Sequence, residues 1–551
     1  MATEYLPLTS IWASNWSFCE GTPEPGWQLQ RREGRNFHLD AAINLDSLCK
    51  NPPVPNQSEG VLYATITLPK DTNAVLGVGC DWCFEAYCDG QLLKSTYETG
   101  NGIDYIFYNN HRINFFATAG EHLLAIRVRR GQSSWYFSCY YCSPVPPPEP
   151  ALETGPWLTN PNVGAITVAF LCKTELGCGI QYRLKGADEW QTAWHHRQGQ
   201  RLRRKYHAIP LTNLTPGAEY EYQVIAVHPD TFLPVTLSPI YTFTVPGDTK
   251  QAYSFFFTAD LQFSLDKQHE ILGKMLDAAD AESCDFFILG GDVNSAFLPA
   301  DVIHGPFAQL CEHGAASKPI LYLRGNHELR GNWGDQFLDY FASGIGTTYD
   351  LLRLGDTAFL MVDSWEDKVA HSPGHIYCQW NLDDLFYQQE TEWFNQAMKD
   401  PRWTEAARRI VVCHGAPYSH HASYRSIPLF MQRLTDPYFE GDNPLVPINM
   451  WLTGHVHAYM RTIPKTTQIA ATETPDTPMK DGRTYTYPVL TVAGPGRRST
   501  QASCFRIDAD PDGFTVRAWD EKGNLLEHIR YANDKSCQEI LALPYFDAPA
   551  K

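Results

Sequence analysis

The chain has 551 residues, 43% hydrophobic and 13% aromatic, a composition of packed domains rather than disorder, and its length predicts about three or four of them. Formal net charge is −18, with no basic tract long enough to follow a nucleic-acid backbone, so no nucleic-acid binding is expected. No apolar run approaches the ~18 residues that cross a bilayer, and none is expected to anchor the chain in a membrane. The opening "MATEYLPLTSIWASNW" has neither a basic region nor a continuous apolar stretch, which predicts a cytoplasmic protein. A secreted or periplasmic protein shorn of its leader would read the same.

Residues 1–148 alternate in the β manner around Gly and Asp turns, as in "GVLYATITLP", "FEAYCDGQLLKST" and "GEHLLAIRVRRG", and predict an all-β sandwich. Two CxxC pairs fall here, Cys80/Cys83 and Cys139/Cys142, among fifteen cysteines in all. Without turn glycines they read as small buried residues on aromatic-rich strands, with a zinc site or a disulfide as the alternatives. The stretch "SPVPPPEPALETGPW", 143–157, predicts an extended connector. A second set of strands fills 149–248: "AITVAFLC", "GIQYRLKG", "YHAIPLTNLTPGAEYEYQVIAV" and "IYTFTV". From 249 to 551 apolar strands alternate with helical stretches such as "KQHEILGKMLDAAD" and "QQETEWFNQAMKD", which predicts an α/β domain.

Five strand-like runs in this last region each end in a residue able to bind metal. They are "FFFTAD" (Asp260), "FFILGGD" (Asp292), "ILYLRGNH" (Asn326, His327), "RIVVCH" (His414) and "MWLTGHVH" (His455, His457). Ligands of α/β sheets gather at the carboxyl ends of the strands. One histidine after a strand is ordinarily structural. Five such ends in succession point to one site.

This series resembles the calcineurin-like metallophosphoesterase superfamily, and "TGHVHAYMRTIP" and "VVCHGAPYSHHASY" are similar to the last blocks of purple acid phosphatases. The "LTPGAEYEYQV" segment looks like a fibronectin type III sandwich, similar to the one preceding the catalytic domain in those enzymes; residues 1–148 resemble jelly-roll, galactose-binding-like modules. The resemblance implies two β-sandwiches followed by an αββα-type metallophosphoesterase domain. It implies hydrolysis of a phosphate mono- or diester by a hydroxide shared between two divalent ions, of Mn, Fe, Zn or Mg. Asp260, Gln262 and His457 would hold one ion, Asn326, His414 and His455 the other, and Asp292 both. His327 would protonate the leaving group or stabilise phosphate charge. Arg330, His420, His421 and Tyr459 would line the substrate's edge, and the substrate would be a phosphorylated small molecule or glycan.

Two departures qualify the resemblance. Gln262 stands where a histidine is usual, and Ser295 where purple acid phosphatases carry the tyrosine that binds ferric iron. An amide oxygen suits a hard divalent ion, so the expectation is a colourless, active enzyme. The competing readings are a glycan-binding pseudoenzyme and a phosphoprotein phosphatase, the latter from "LRGNHELRG".

Overall fold

A computed structural model describes residues 15–21, 32–38, 42–52, 54–102, 110–132, 135–138, 149–228, 233–368, 381–417, 434–435, 437–439, 445–474, 484–496 and 499–547. The chain divides into two compact units, Met1–Pro150 with Ala226–Val235, and Ala151–Ile225 with Thr236–Lys551. The architecture is mostly sheet.

The first unit holds two sheets. One has six strands, in the order Arg35–His38, Asn15–Glu20, Glu59–Leu68, Gly120–Arg129, Cys83–Cys88, Gln91–Ser95. The other has four, Ile43–Asn44, Tyr136–Ser138, Thr72–Cys80, His111–Ala117. His111–Ala117 alternates buried and outward residues, and its inward Ile113 and Phe115 join a core with Trp16, Phe84 and Trp135. Cys80 and Cys83 flank a tight turn and are free thiols. Cys139, Cys142 and residues 143–148 of the proline-rich connector lie outside the described residues, and the end of the predicted connector, Leu152 to Trp157, is part of the strand Leu152–Asn162, where it pairs with a neighbouring strand.

The second unit is built on two further sheets. A fourteen-stranded sheet starts in the strands after residue 151 and continues into the α/β region. The join is the parallel pairing of Leu152–Asn162 with Pro319–Tyr322, with Leu158 opposite Pro319 and Thr159 opposite Ile320. Beyond it run Phe286–Leu289 and Tyr253–Thr258, also parallel, then four antiparallel strands from Ser503 to Leu541. The second sheet has eight strands, among them Thr357–Val362, Arg408–Cys413 and Met450–Thr453, parallel to one another.

The run "YSFFFT" is continuously apolar because both of its faces are covered. Phe255 and Phe257 point into the space between the sheets, against Phe359, Ile410, Val412 and Leu452. Phe256, on the opposite face, meets Ile271, Leu272, Met275 and Leu276 of the helix Leu265–Ala278. That helix begins two residues before the predicted stretch. On the far side of the eight-stranded sheet, the helix Asp383–Ala397 lays Phe394 and Ala397 against Leu360, Val411 and Trp451. The layers thus run helix, sheet, sheet, helix, and each buried Phe or Leu contributes about 1.5–3 kcal/mol. Both sheets deliver parallel strands whose carboxyl ends carry the Asp, Asn and His residues singled out in the sequence.

Candidate metal centre

Asp260, Asp292, His455 and His457 all have left-handed backbone, with φ of 54°, 52°, 68° and 54°. Each costs about 1–2 kcal/mol in a residue with a Cβ, so the surrounding structure must enforce it. Hydrogen bonds between the strand ends do so. Asp260 N donates to Gly291 O (3.0 Å), Leu261 N to Asp292 O (2.9 Å) and Gly454 N to His414 O (3.1 Å). His455 N donates to Asp260 Oδ2 (2.7 Å) and His327 N to Asp292 Oδ1 (2.8 Å). Gln268 Nε2, from the adjoining helix, donates to Leu261 O (2.7 Å) and Val293 O (2.6 Å). Two glycines make the closeness possible: a Cβ on Gly325 would strike Asp292 Oδ1, and one on Gly454 would strike Asp260 Oδ2.

The predicted residues that this brings together are Asp260, Gln262, Asp292, Asn326, His327, His414, His455 and His457. Ligand atoms of Asp292, His414 and His455 lie within 4.8 Å of one another. His414 Nε2 is 3.1 Å from Asp292 Oδ2 and 3.9 Å from Asp260 Oδ1, and His457 Nε2 is 3.3 Å from Asp260 Oδ1. The other ring nitrogens donate to main-chain carbonyls, His414 Nδ1 to Gly290 (2.8 Å) and His457 Nδ1 to Pro495 (2.6 Å). This is how metal-ligating imidazoles are oriented, leaving Nε2 for the ion.

The amides are equally informative. Gln262 Nε2 donates to Asp292 Oδ2 (3.0 Å) and Asn326 Nδ2 to Asp367 Oδ1 (3.3 Å). Their oxygens, Gln262 Oε1 and Asn326 Oδ1, are buried without a hydrogen-bond partner among the described residues. A buried acceptor left unmade costs about 1–3 kcal/mol. Carboxylate, amide oxygen and imidazole together form a donor set for hard to borderline divalent ions, so these residues fit the metal that the sequence predicts.

The electrostatics point the same way. Burial pulls the His414 and His457 imidazoles down, but the Asp292 and Asp260 carboxylates outweigh it, raising His414 to about 10 and His457 to about 9. Burial pulls Asp292 up, yet the facing His414 and His327 hold it well below the usual carboxylate range. The cluster therefore draws positive charge into a buried place, from protons when no ion supplies it.

His327 sits beside this group, its Nδ1 donating to Ser295 O (2.7 Å) while its Nε2 accepts from Arg330 Nη1 (2.7 Å). Burial, aided by the Arg330 charge, lowers its pKa against the pull of Asp292. Arg330 is buried, clamped bidentately by Glu366 (2.9 and 2.6 Å) and held by Asp367 (2.6 Å). It buttresses His327 from behind rather than standing open to solvent. Tyr459 is 2% exposed and belongs to the core between the sheets, its hydroxyl donating to Glu527 Oε2 at 2.6 Å. Arg461 bonds the same carboxylate. His420 and His421 lie outside the described residues.

One residue escaped the sequence reading. Glu328 is buried and accepts four hydrogen bonds, from the backbone of Asp292 (2.9 Å), Val293 (2.9 Å) and Gly325 (2.8 Å) and from the Tyr322 hydroxyl (2.9 Å). It locks the Asp292 turn to the Asn326 turn. Its place directly after His327 in "GNHE" was the available signal.

The calcineurin-like phosphoesterase family matches residues 253–459. No curated protein matches the chain. Among solved structures, a purple acid phosphatase, PPD1, from yellow lupin (Lupinus luteus) seeds is similar at 14% identity over 86% of this chain and 92% of its own, with a TM-score of 0.46. PhoD is similar at 10% identity over 73% of this chain and 94% of its own, with a TM-score of 0.45.

Proposed function

We propose that this chain, a hydrolase of phosphoric esters by its calcineurin-like phosphoesterase domain at residues 253–459, works through two divalent metal ions. Asp260, Gln262 and His457 are assigned to one ion, Asn326, His414 and His455 to the other, and Asp292 to both. The observation that carries this reading is the pair of buried amide oxygens, Gln262 Oε1 and Asn326 Oδ1, which have no hydrogen-bond partner among the described residues and lie beside the Asp and His groups. Two bound ions supply Lewis-acid charge for the phosphate oxygens and make water a nucleophile near neutral pH.

The chain's own residues do the rest. Main-chain carbonyls fix the His414 and His457 tautomers, and Glu328 holds the turn that carries Asp292. His327, backed by Arg330, stands next to Asp292 (Nε2 to Oδ2, 3.8 Å) and is assigned to the phosphate or the leaving group. The absence of a tyrosine at position 295 favours an exchangeable divalent pair without tyrosinate-to-iron colour. The substrate is read as a phosphorylated small molecule or glycan. The first unit is read as a jelly-roll module, and the strands after residue 151 as a fibronectin-like sandwich.

Turnover of p-nitrophenyl phosphate and bis-p-nitrophenyl phosphate by metal-stripped and reloaded enzyme tests the proposal. Chelation should abolish turnover and Mn²⁺ or another divalent ion should restore it. Asp292→Asn should lose at least about 10²-fold, as when a central electrostatic group is removed. Full turnover by metal-free protein would refute it.

A further inference from the structure

Far along the sequence from the Asp and His cluster, the strands after residue 151 enclose a second group of ligand-type side chains. Cys172 and Cys178 lie on one strand, Ala165–Leu184. On a regular strand, residues six apart are about 20 Å apart. Here the two Sγ atoms are 3.7 Å apart. A register break explains it: pairing with Arg203–Leu211 runs Leu171 to Tyr206 and resumes with Leu176 to Arg204, so Cys172 to Glu175 face the single residue Lys205 and bulge out, which shortens the span between the two cysteines. Ligand atoms of Cys172, Cys178 and His207 lie within 4.8 Å of one another, and all three residues are fully buried.

The spacing discriminates between chemistries. A disulfide needs sulfurs about 2.03–2.05 Å apart. Two thiolates on a tetrahedral zinc, each about 2.3 Å from the ion, stand about 3.8 Å apart. The histidine is prepared in the same sense. His207 Nε2 donates to Arg204 O (2.9 Å), which fixes the tautomer and leaves the lone pair on Nδ1, where the His195 ring donates to it. His207 Nδ1 is 2.8 Å from Nδ1 of His195, whose backbone N donates to Cys178 O (3.0 Å). Phe170 stacks on the His207 ring at 5.1 Å.

A superficially similar trio in the first unit, Cys88, Asp89 and His122, lacks these features. Both ring nitrogens of His122 face oxygen acceptors, Asp89 Oδ2 (2.5 Å) and Thr118 O (2.7 Å), so both donate and neither keeps a lone pair for an ion, whereas the second nitrogen of His207 meets only the His195 imidazole.

We propose that Cys172, Cys178 and His207 bind a zinc ion, with His195 the adjacent side chain for the fourth position. The ion staples the bulge of Ala165–Leu184 to Arg203–Leu211. It is independent of the phosphate chemistry, whose assigned ligands include no thiolate.

The test uses the full chain, stripped with a chelator and reloaded with Co²⁺ or Zn²⁺. Cobalt on thiolates gives a sulfur-to-metal charge-transfer band in the near ultraviolet, which carboxylate, amide and imidazole ligands do not. The parent and Asp292→Asn should show the band, and Cys172→Ser, Cys178→Ser and His207→Ala should lose it together with one equivalent of zinc. His195→Ala should retain the thiolate band at lower metal affinity. Bands and zinc contents equal in parent and serine variants would overturn the proposal, as would a Cys172–Cys178 disulfide in the purified parent by mass spectrometry. If the serine variants fail to fold, the parent still decides: zinc should slow alkylation of Cys172 and Cys178 in mild urea, and equal labelling with and without zinc refutes the site.

Discussion

Glu328→Gln keeps the side chain's shape and exchanges one carboxylate oxygen for an amide nitrogen. Oε2 of Glu328 serves the amides of Asp292 and Gly325, and Oε1 serves the amide of Val293 and the Tyr322 hydroxyl. The new nitrogen accepts nothing. On the Oε2 side it would leave two amides unpaired; on the Oε1 side it would leave one, because the Tyr322 hydroxyl can turn and accept from it. The second arrangement is the cheaper, so Val293 should lose its partner while Asp292 and Gly325 keep theirs. One buried unpaired amide costs about 1–3 kcal/mol. At about 1.36 kcal/mol per tenfold, that is about 5-fold to 150-fold in a local opening equilibrium. Amide hydrogen exchange on the folded enzyme reads it directly. The experiment belongs above pH 8, because burial and the neighbouring Asp292 raise Glu328 to about 7 and it must be ionised in the parent. Exchange at Val293 within about twofold of the parent would show that Glu328 does not hold the turn.

The remaining expectations concern the centre itself. Gln262→Ala should weaken binding of one divalent ion more than the other, and Gln262→His should shift preference toward zinc, both read by calorimetric titration of stripped enzyme; two unchanged affinities would make Gln262 only a wall of the pocket. In metal-free protein His414 is raised to about 10 and His457 to about 9, above the ordinary 6.5. Their protonation therefore stabilises the metal-free fold fully below about pH 6.5, and this contribution is lost as pH rises through about 9 to 10. Metal uptake near pH 7.5 should accordingly release protons, measurable as a dependence of the binding heat on buffer ionisation enthalpy, and no release would contradict the charge arrangement. His327→Ala should cost about 10²–10⁴-fold more with an alkyl phosphate than with p-nitrophenyl phosphate if His327 is the acid. Equal losses across a leaving-group series would leave it the electrostatic role.

What could be read in advance was what is local. A buried strand that stops at a ligand is a feature of a few consecutive residues, and all five such ends converge. Side-chain direction is another matter. Arg330 and Tyr459 stand within four residues of Asn326 and His457 in the sequence, yet one is turned into Glu366 and Asp367 and the other into the core against Glu527. Glu328 was passed over because its partners Asp292 and Val293 come from a different strand end. The same holds for the shared sheet, since nothing near Leu158 announces that it will pair beside Pro319. Cys172 and Cys178 were invisible for a sharper reason: their spacing looks ordinary until a bulge shortens the strand between them.

The strain in the centre shows how much of it the polypeptide builds unaided. Four residues in left-handed backbone cost about 1–2 kcal/mol each, and glycine at any of them would relieve that cost while deleting a carboxylate or an imidazole. The chain instead places its glycines next to them, at 291, 325, 454 and 494, where a Cβ would collide with Asp292, Asp260 or their neighbours. Asp260 and Asp292 each spend one oxygen on a backbone amide, from His455 and from His327. The second oxygen of each faces an imidazole Nε2, within 3.3 Å. The strained backbone is thus held by hydrogen bonds made within the protein. An ion entering such a site need not organise the loops, so its binding energy goes into charge neutralisation rather than folding.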